Sequence, residues 1–280
     1  METTLALHPL TNPRFSLSYT EIDAQSHRNT FHSHTHDQCE VYINLSGDVS
    51  FVVENSIYPI VPGSMIITRP GEFHHCVYHS NALHKHFWIL FSADQMEKLF
   101  SRFYDRPAGE KNLLMLSGSL FKEMVTLCHE MGDTNVSRDE ALYRFFRFIH
   151  LINETEVSEH SREEEAAFMH AALVFIHNNL SSPFTVKDVA RAAYVSVPTL
   201  ERHFKSCLQM SPSEYLKKRR MAHAARLLQE GATVTEACHG CGFLDCSKFI
   251  SLFKKHYGAT PLQYKKSLQG EKPSPTAHLP

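Results

Sequence analysis

An α+β chain is predicted: a small all-β barrel or jelly roll, a helical segment behind it, and an all-α C-terminal part made of two helix-turn-helix units. Three observations predict it. Between Phe31 and about Phe91, short runs rich in Val, Ile, Phe and Tyr alternate with turns marked by Gly and Pro. Beyond Ser92, apolar residues recur at three- and four-residue steps, and between Ser181 and Leu268 one pattern occurs twice.

Strands are expected at Val41–Leu45, Val49–Val53, Ser64–Thr68 and Phe87–Phe91, with turns at Ser46–Asp48, Pro62–Gly63 and Pro70–Gly71. Leu113, Leu116, Leu120, Met124 and Leu127 then define one amphipathic helix, and Leu142, Phe145, Phe146, Ile149 and Ile152 a second. Such helices pack on the barrel by default; standing between two domains, they also offer a dimer face. Asn153–Glu165 is charged and poor in apolar residues, so the domain boundary is placed there, its last acids opening the next helix. The expected organisation is a barrel with an N-terminal arm over 1–100, a helical dimerisation segment over 101–155, a linker over 156–165, the repeated helical domain over 166–268 and a disordered tail over 269–280.

At 280 residues and 42% hydrophobic, the chain has material for about two domains. No stretch approaches the roughly 18 uncharged apolar residues of a membrane helix, so a cytoplasmic protein is expected. Seven cysteines without a small-domain spacing fit a reducing compartment, and free thiols are expected. The net charge of −2 conceals a division at Leu180: residues 1–180 carry 13 Lys and Arg against 23 Asp and Glu, and residues 181–268 carry 14 against 6. A basic C-terminal part attracts phosphate, although basic residues also simply solvate helix faces.

The repeat decides between these. Its first copy runs from a short helix, Thr185–Ala193, through Tyr194–Val195 to a helix opened by Ser196; its second runs from Val234–Gly240 through Cys241–Leu244 to a helix opened by Asp245. The copies register at an offset of 49: Ser196 with Asp245, Leu200 with Phe249, Phe204 with Phe253, Lys205 with Lys254, Pro212 with Pro261 and Tyr215 with Tyr264. Ser196 and Asp245 cap their helices, and the apolar pairs four residues apart bury one face. The free face of the first copy carries Ser196, Pro198, Thr199, Glu201, Arg202 and Lys205, and that of the second Cys246, Ser247, Lys248, Ser251 and Lys255; most of these side chains can hydrogen-bond bases or phosphates. Pro212–Gln229, with Lys217, Lys218, Arg219 and Arg220, reads as a rigid connector holding two recognition helices at a fixed separation. Cys238, His239, Cys241 and Cys246 invite a zinc reading, but small apolar residues are needed where they stand, and packing is preferred.

The segment GFLDCSKFISLFKKHYGATPLQYKK resembles the signature of AraC/XylS-type regulators, G-F-x-D-x-S-x-F-x-x-x-F-K-K-x-x-G-x-T-P-x-x-Y. The resemblance implies a sequence-specific DNA-binding transcription regulator, more often an activator engaging RNA polymerase than a repressor, with recognition helices at Ser196–Leu208 and Asp245–Tyr257 in adjacent major-groove segments. Pro198 and the Ala237–Cys238 pair depart from the family's usual residues, so base preference does not carry over.

In the first half, His34, His36, Glu40 and Gly47 fit the first cupin motif, HxHx3Ex6G, and the stretch from Gly63 to Arg69, Glu72 and His74 resembles the second. Three imidazoles and a carboxylate can bind a divalent metal, with His34, His36, Glu40 and His74 as its ligands. That leaves open a metal-dependent cupin enzyme, such as a dioxygenase or isomerase. The fused DNA-binding tail speaks against it, because cupin sensors of this family usually bind an effector without chemistry and need no cofactor. The run Gly71–His75 followed by His86 and Trp88 is similar to the arabinose-responsive branch, implying a sugar in the barrel; a homodimer is expected from the helices standing between sensor and DNA-binding units. Along a strand His86 and Trp88 point to one side, as do Glu40 and Tyr42, so an aromatic plate and an imidazole face one cavity; alternatively Trp88 only fills the core. The expected effector set is Phe15, His34, His36, Glu40, Tyr42, Arg69, Glu72, His74, His86 and Trp88, with Phe15 closing over the ligand from the arm.

Overall fold

The computed structural model describes residues 15–23, 35–80, 83–93, 98–116, 118–133, 135–156 and 164–268. The expected arm before Phe15, His34, the Phe15 side chain, the centre of the linker and the tail lie outside them. The chain divides into two units, Met1–Arg162 and Glu163–Pro280.

The first unit contains β1 (Phe15–Asp23), β2 (Cys39–Ser46), β3 (Val49–Val53), β4 (Ser56–Ile60), β5 (Ser64–Thr68), β6 (His74–Tyr78), β7 (Leu83–Phe91) and β8 (Leu113–Met115). They pair as a five-stranded sheet ordered β1-β7-β2-β5-β8 and a three-stranded sheet ordered β4-β3-β6. Every pairing is antiparallel. Because side chains alternate between faces, each central strand serves two environments. Tyr42 and Ile66 of the larger sheet pack against Val49, Phe51, Val53, Cys76 and Tyr78 of the smaller one. Their sequence neighbours Val41, Ile43, Met65, Ile67, Phe87, Ile89 and Phe91 face the other way.

That outer face is covered by helices: α1 (Ser101–Tyr104), α2 (Gly118–Gly132) and α3 (Arg138–Glu154). Ser137 caps α3 by accepting from the Glu140 N–H, and Asp139 and Glu140 complement the helix dipole in its first turn. Met124, Leu127, Cys128 and Met131 of α2 and Phe145, Phe148, Ile149 and Ile152 of α3 join the sheet's outer residues in one core. Each such side chain contributes about 1.5–3 kcal/mol. The apolar stripes therefore lie on the barrel, and the outward sides of the two helices are joined by ion pairs of Arg144 with Glu130 and Arg147 with Glu123.

One expectation is corrected. Leu113 and Leu116 do not belong to the helix of Leu120–Leu127, because Leu113–Met115 is an edge strand bonded to β5 and the helix opens only at Gly118. Leu113 faces the interior and Leu114 the helical layer, which is alternation, not a helical stripe. The barrel accordingly takes in residues assigned beforehand to the helical segment. Strands β1, β4 and β6 also went unpredicted; β4 carries Pro59, tolerated because this strand is an edge paired only with β3.

A buried ion pair ties the barrel rim together. Arg106 donates from Nη1 to Glu72 Oε1 at 2.7 Å and from Nη2 to Oε2 at 2.6 Å. The same carboxylate accepts from the Gly109 N–H, the Arg69 N–H and Asn112 Nδ2. Arg69 Nη1 donates to the Tyr104 and Arg106 carbonyls. Arg69 and Glu72, expected among the effector contacts, are thus occupied in holding the loop of residues 104–112 onto the β5–β6 turn.

The second unit is helical: α4 (Glu164–Asn178), α5 (Val186–Ala192), α6 (Val197–Leu208), α7 (Pro212–Gln229), α8 (Val234–Gly240), α9 (Cys246–Tyr257) and α10 (Pro261–Leu268). Ser196, Ser211, Thr233 and Asp245 each accept from a backbone N–H in the first turn that follows. The two copies are not at one constant offset. Caps Thr185 and Thr233 are 48 apart and caps Ser196 and Asp245 are 49 apart, so the second turn holds one extra residue. Tyr194 and Gly242 both adopt positive φ, at 57° and 70°, and Leu244 stands 84% exposed in the longer turn.

Removing one partner of a buried pair leaves the other charged and uncompensated, so Arg106→Met is expected to lower the stability of the first unit by about 3–5 kcal/mol, read as a shifted urea midpoint.

Candidate functional sites in the barrel and on the helix pairs

Parity along the strands selects which side chains enter the barrel. Glu40, Tyr42 and Asn44 of β2, Ser64, Ile66 and Thr68 of β5, His74 and Cys76 of β6, and His84, His86 and Trp88 of β7 share the inward face. The register brings them together: Asn44 lies opposite His86, Tyr42 opposite Trp88, and Glu40 opposite Thr68. The rings of Tyr42 and His86 stack at 4.6 Å, and Trp88 meets both edgewise, at 6.1 and 5.6 Å. Gly47, in the turn after β2, has φ of 103°, and a Cβ there would lie 1.9 Å from His84 Nδ1. The motif's glycine is therefore required by close approach as well as by its turn.

This interior is more polar than a packing core. Glu40 Oε1, Asn44 Oδ1, Thr68 Oγ1 and both nitrogens of His86 are buried and have no hydrogen-bond partner among the described residues. A buried polar group left so costs about 1–3 kcal/mol, and four residues bearing such atoms face the barrel interior. Burial, with His84 adding to it, lowers the His86 pKa to about 4. Burial likewise holds the Tyr42 phenol well above its ordinary value. Asn44 and Thr68 were not singled out from sequence, although Asn44 has the same strand parity as Glu40 and Tyr42.

On the same inward face, His36 Nε2 and His74 Nε2 lie 2.9 and 3.1 Å from Glu40 Oε2. His74 Nδ1 donates to the Glu72 carbonyl at 2.8 Å, which fixes the ring orientation. Burial opposes charge on Glu40, but His74 and His36 outweigh it and hold the carboxyl well below the carboxylate range. Burial likewise opposes charge on His74, and Glu40 reverses it, raising the imidazole. The three ligand atoms lie within 4.8 Å of one another. An ion bound at about 2.1 Å from each donor needs donors roughly 3 Å apart, and the two separations to Glu40 Oε2 match that, so the donor types and these two distances suit a divalent cation. His34, the fourth expected ligand, lies outside the described residues. Cys238, Cys241, His239 and Cys246 form no comparable group among the described residues; Cys238 and Cys241 are buried in the core of the second helix pair.

On the second unit, α6 buries Leu200, Phe204 and Leu208, and α9 buries Phe249 and Phe253. Pro198, Glu201, Arg202 and Lys205 are exposed on α6, and Ser247, Lys248, Ser251 and Lys255 on α9. Thr199 and Cys246 are half-buried, and the Thr199 hydroxyl bonds the cap hydroxyl of Ser196 at 2.8 Å. Two connector cations turn inward. Arg219 is buried with Nη2 2.7 Å from His177 Nδ1 on α4. The Arg220 guanidinium lies 5.2 Å from the Phe184 ring and 5.6 Å from the Phe243 ring, and donates to the Ser182 carbonyl. Phe184 precedes the first helix pair and Phe243 lies in the turn of the second, so one cation joins them. Gly242 completes the fit, since a Cβ there would meet the Leu180 carbonyl at 2.8 Å. No sequence signal separates Arg219 and Arg220 from the exposed Lys217 beside them.

Two family models match the chain: an AraC-like ligand binding domain over residues 18–172 and a helix-turn-helix domain over residues 189–267. The chain is 22% identical over 253 residues to the HTH-type transcriptional activator RhaR of Mannheimia succiniciproducens, covering 87% of this chain and 90% of that protein. It is 23% identical over 252 residues to the HTH-type transcriptional activator RhaS of Escherichia coli, covering 86% and 89%. The crystal structure of ToxT from Vibrio cholerae O395 aligns with 91% of this chain and 98% of its own, at 14% identity and a TM-score of 0.38.

His86 stays neutral in the folded protein down to about pH 4, whereas in the unfolded chain it takes a proton near the ordinary imidazole value of 6.5. The unfolded state then binds more protons between these values, so stability falls as pH drops through that window, by on the order of 3 kcal/mol at most. Urea midpoints from pH 7 to pH 4 are expected to fall less for His86→Gln than for the native chain.

Proposed function

Because the chain belongs to the AraC-like ligand-binding family and is a DNA-binding transcription regulator, we propose that a small polyhydroxylated molecule, a sugar, is the effector taken up by the barrel. The observation that carries this reading is the set of buried, unpartnered polar atoms on Glu40, Asn44, Thr68 and His86 beside the Trp88 ring. Hydroxyls both donate and accept, which suits carboxylate, amide, hydroxyl and imidazole together, while the C–H face of a pyranose suits indole. An apolar effector would leave those atoms unsatisfied.

The α6 and α9 surfaces are then the DNA-reading elements, with Arg202, Lys205, Lys248 and Lys255 placed for phosphates and base edges and Ser247 and Ser251 for shorter contacts. The chain works in the cytoplasm as a homodimer, using the outward side of α2 and α3, where Tyr143 stands exposed. It activates transcription together with RNA polymerase; that its relatives RhaR and RhaS are transcriptional activators supports the activating role. Among the described residues no helix is long and apolar enough to cross a membrane, in keeping with that site of action. Effector binding shifts the balance between two arrangements of the DNA-binding units by its different affinity for each. No catalysis is part of this reading, since both of these relatives are named as transcriptional activators.

A second reading, favoured by the donor spacing at His36, Glu40 and His74, places a divalent cation there as an adjunct to effector binding. His36 and His74 would supply imidazole lone pairs and Glu40 a carboxylate oxygen, and the cation would add a Lewis-acidic contact for a sugar hydroxyl.

Metal analysis of the purified protein, paired with a thermal-shift screen of mono- and disaccharides, tests both. Stabilisation by one sugar class, lost in Trp88→Ala while DNA binding persists and retained in Arg202→Ala while DNA binding weakens, is the expected result. Failure of every sugar to shift the melting temperature would exclude the polyol reading, and an absence of stoichiometric metal would exclude the second.

A further inference from the structure

In the second helix pair, two thiols are held almost at bonding distance. Cys238 Sγ, in the last turn of α8, lies 2.7 Å from Cys246 Sγ, in the first turn of α9. The contact spans the turn that sets how α9 leaves α8. Cys238 is fully buried and also points at the Phe243 carbonyl, 3.7 Å away. Cys246 is half-buried, so one member of the pair is reachable from solvent and the other is not. All seven cysteines are free thiols.

We propose that Cys238 and Cys246 are a reversible oxidation site, closing to a disulfide that fastens α9 to α8. With hydrogen peroxide as oxidant, the Cys246 sulfur attacks one peroxide oxygen; the O–O bond breaks, one water leaves, and Cys246 becomes a sulfenic acid. The Cys238 sulfur then attacks the Cys246 sulfur, the S–O bond breaks, and the departing hydroxide takes the Cys238 proton as a second water. Two thiols lose two electrons and the peroxide gains two. Burial, with the Cys246 contact adding to it, raises the Cys238 thiol to about 12. So little of Cys238 is thiolate that the half-buried Cys246 is the sulfur that meets the oxidant first, and Cys238 acts only afterwards, on the sulfur already beside it.

Closure from 2.7 Å to about 2.05 Å asks for well under an ångström of movement. The bond therefore fastens the helix pair in the arrangement it already has, and the oxidised unit keeps its fold. Cys241 stands three residues beyond Cys238 on the core side, fully buried, and is not part of the pair.

The test uses the full-length protein, titrated with hydrogen peroxide and examined by thiol counting after denaturation, intact mass and peptide mapping. Two of the seven thiols are expected to disappear with a mass loss of about 2 Da, returning on treatment with dithiothreitol. The mapped bridge joins Cys238 to Cys246, survives in Cys241→Ser and is absent in Cys246→Ser. The oxidised protein should melt at a higher temperature and resist proteolysis between Cys241 and Asp245. A mass gain of about 32 Da at Cys246 with Cys238 still free, or a bridge from Cys238 to Cys241, would overturn the assignment. A lower melting temperature on bridging would overturn the fastening role.

Discussion

The barrel depends on one carboxylate. Glu72 accepts both arms of Arg106 together with two backbone N–H groups and the Asn112 amide, and its own carbonyl orients His74. A buried charge is tolerable only when such partners replace the water it gave up. The partners come from the β5–β6 turn and from the loop before β8, so the requirement draws those segments into one arrangement. His74 then meets Glu40, and the polar cluster of the barrel interior takes shape around that meeting. The cluster of Glu40, His36 and His74 is thus held by the hydrogen-bonded cluster around Glu72, and both contain residues of the same short stretch, Arg69–His74.

The second unit solves a different problem. Each helix pair is small, with α6 burying only Leu200, Phe204 and Leu208 and α9 only Phe249 and Phe253. Side-chain caps satisfy the helix termini that so little burial would leave exposed to competition from water. The connector does more than space the pairs. Its Arg219 reaches back toward α4, and its Arg220 toward Phe184 ahead of the first pair and Phe243 in the turn of the second, and Gly242 brings the second turn against the Leu180 and Ser182 carbonyls. The longer second turn, with its extra residue, is accommodated by exposing Leu244 without disturbing the register of Leu200 with Phe249.

At the candidate sites, legibility followed chemistry that is local in sequence. His36, Glu40 and His74 could be named in advance because imidazole and carboxylate have few reasons to recur at those spacings. The inward parity of Tyr42, His86 and Trp88 was readable from period-two alternation, and the exposed faces of α6 and α9 from period 3.6. The hydrogen bonds of Arg69 and Glu72 were not legible for a related reason: their motif position is local, but their partners Tyr104, Arg106, Gly109 and Asn112 are distant in sequence. Asn44 and Thr68 are ordinary residues until the register places them opposite His86 and Glu40.

Sequence alone determined the α+β class, the division between an acidic and a basic half, the repeated helix pair with its caps, and the residue types available to each site. These depend on periodicity, turn chemistry and charge, all of which act over a few residues. Tertiary structure alone decided that Leu113 belongs to a strand, that the apolar stripes of α2 and α3 lie on the barrel, that Arg219 and Arg220 turn inward, and that two cysteines eight residues apart meet. Each of those outcomes depends on which distant surface a side chain finds, and a leucine or an arginine has the same local preferences whichever surface that is.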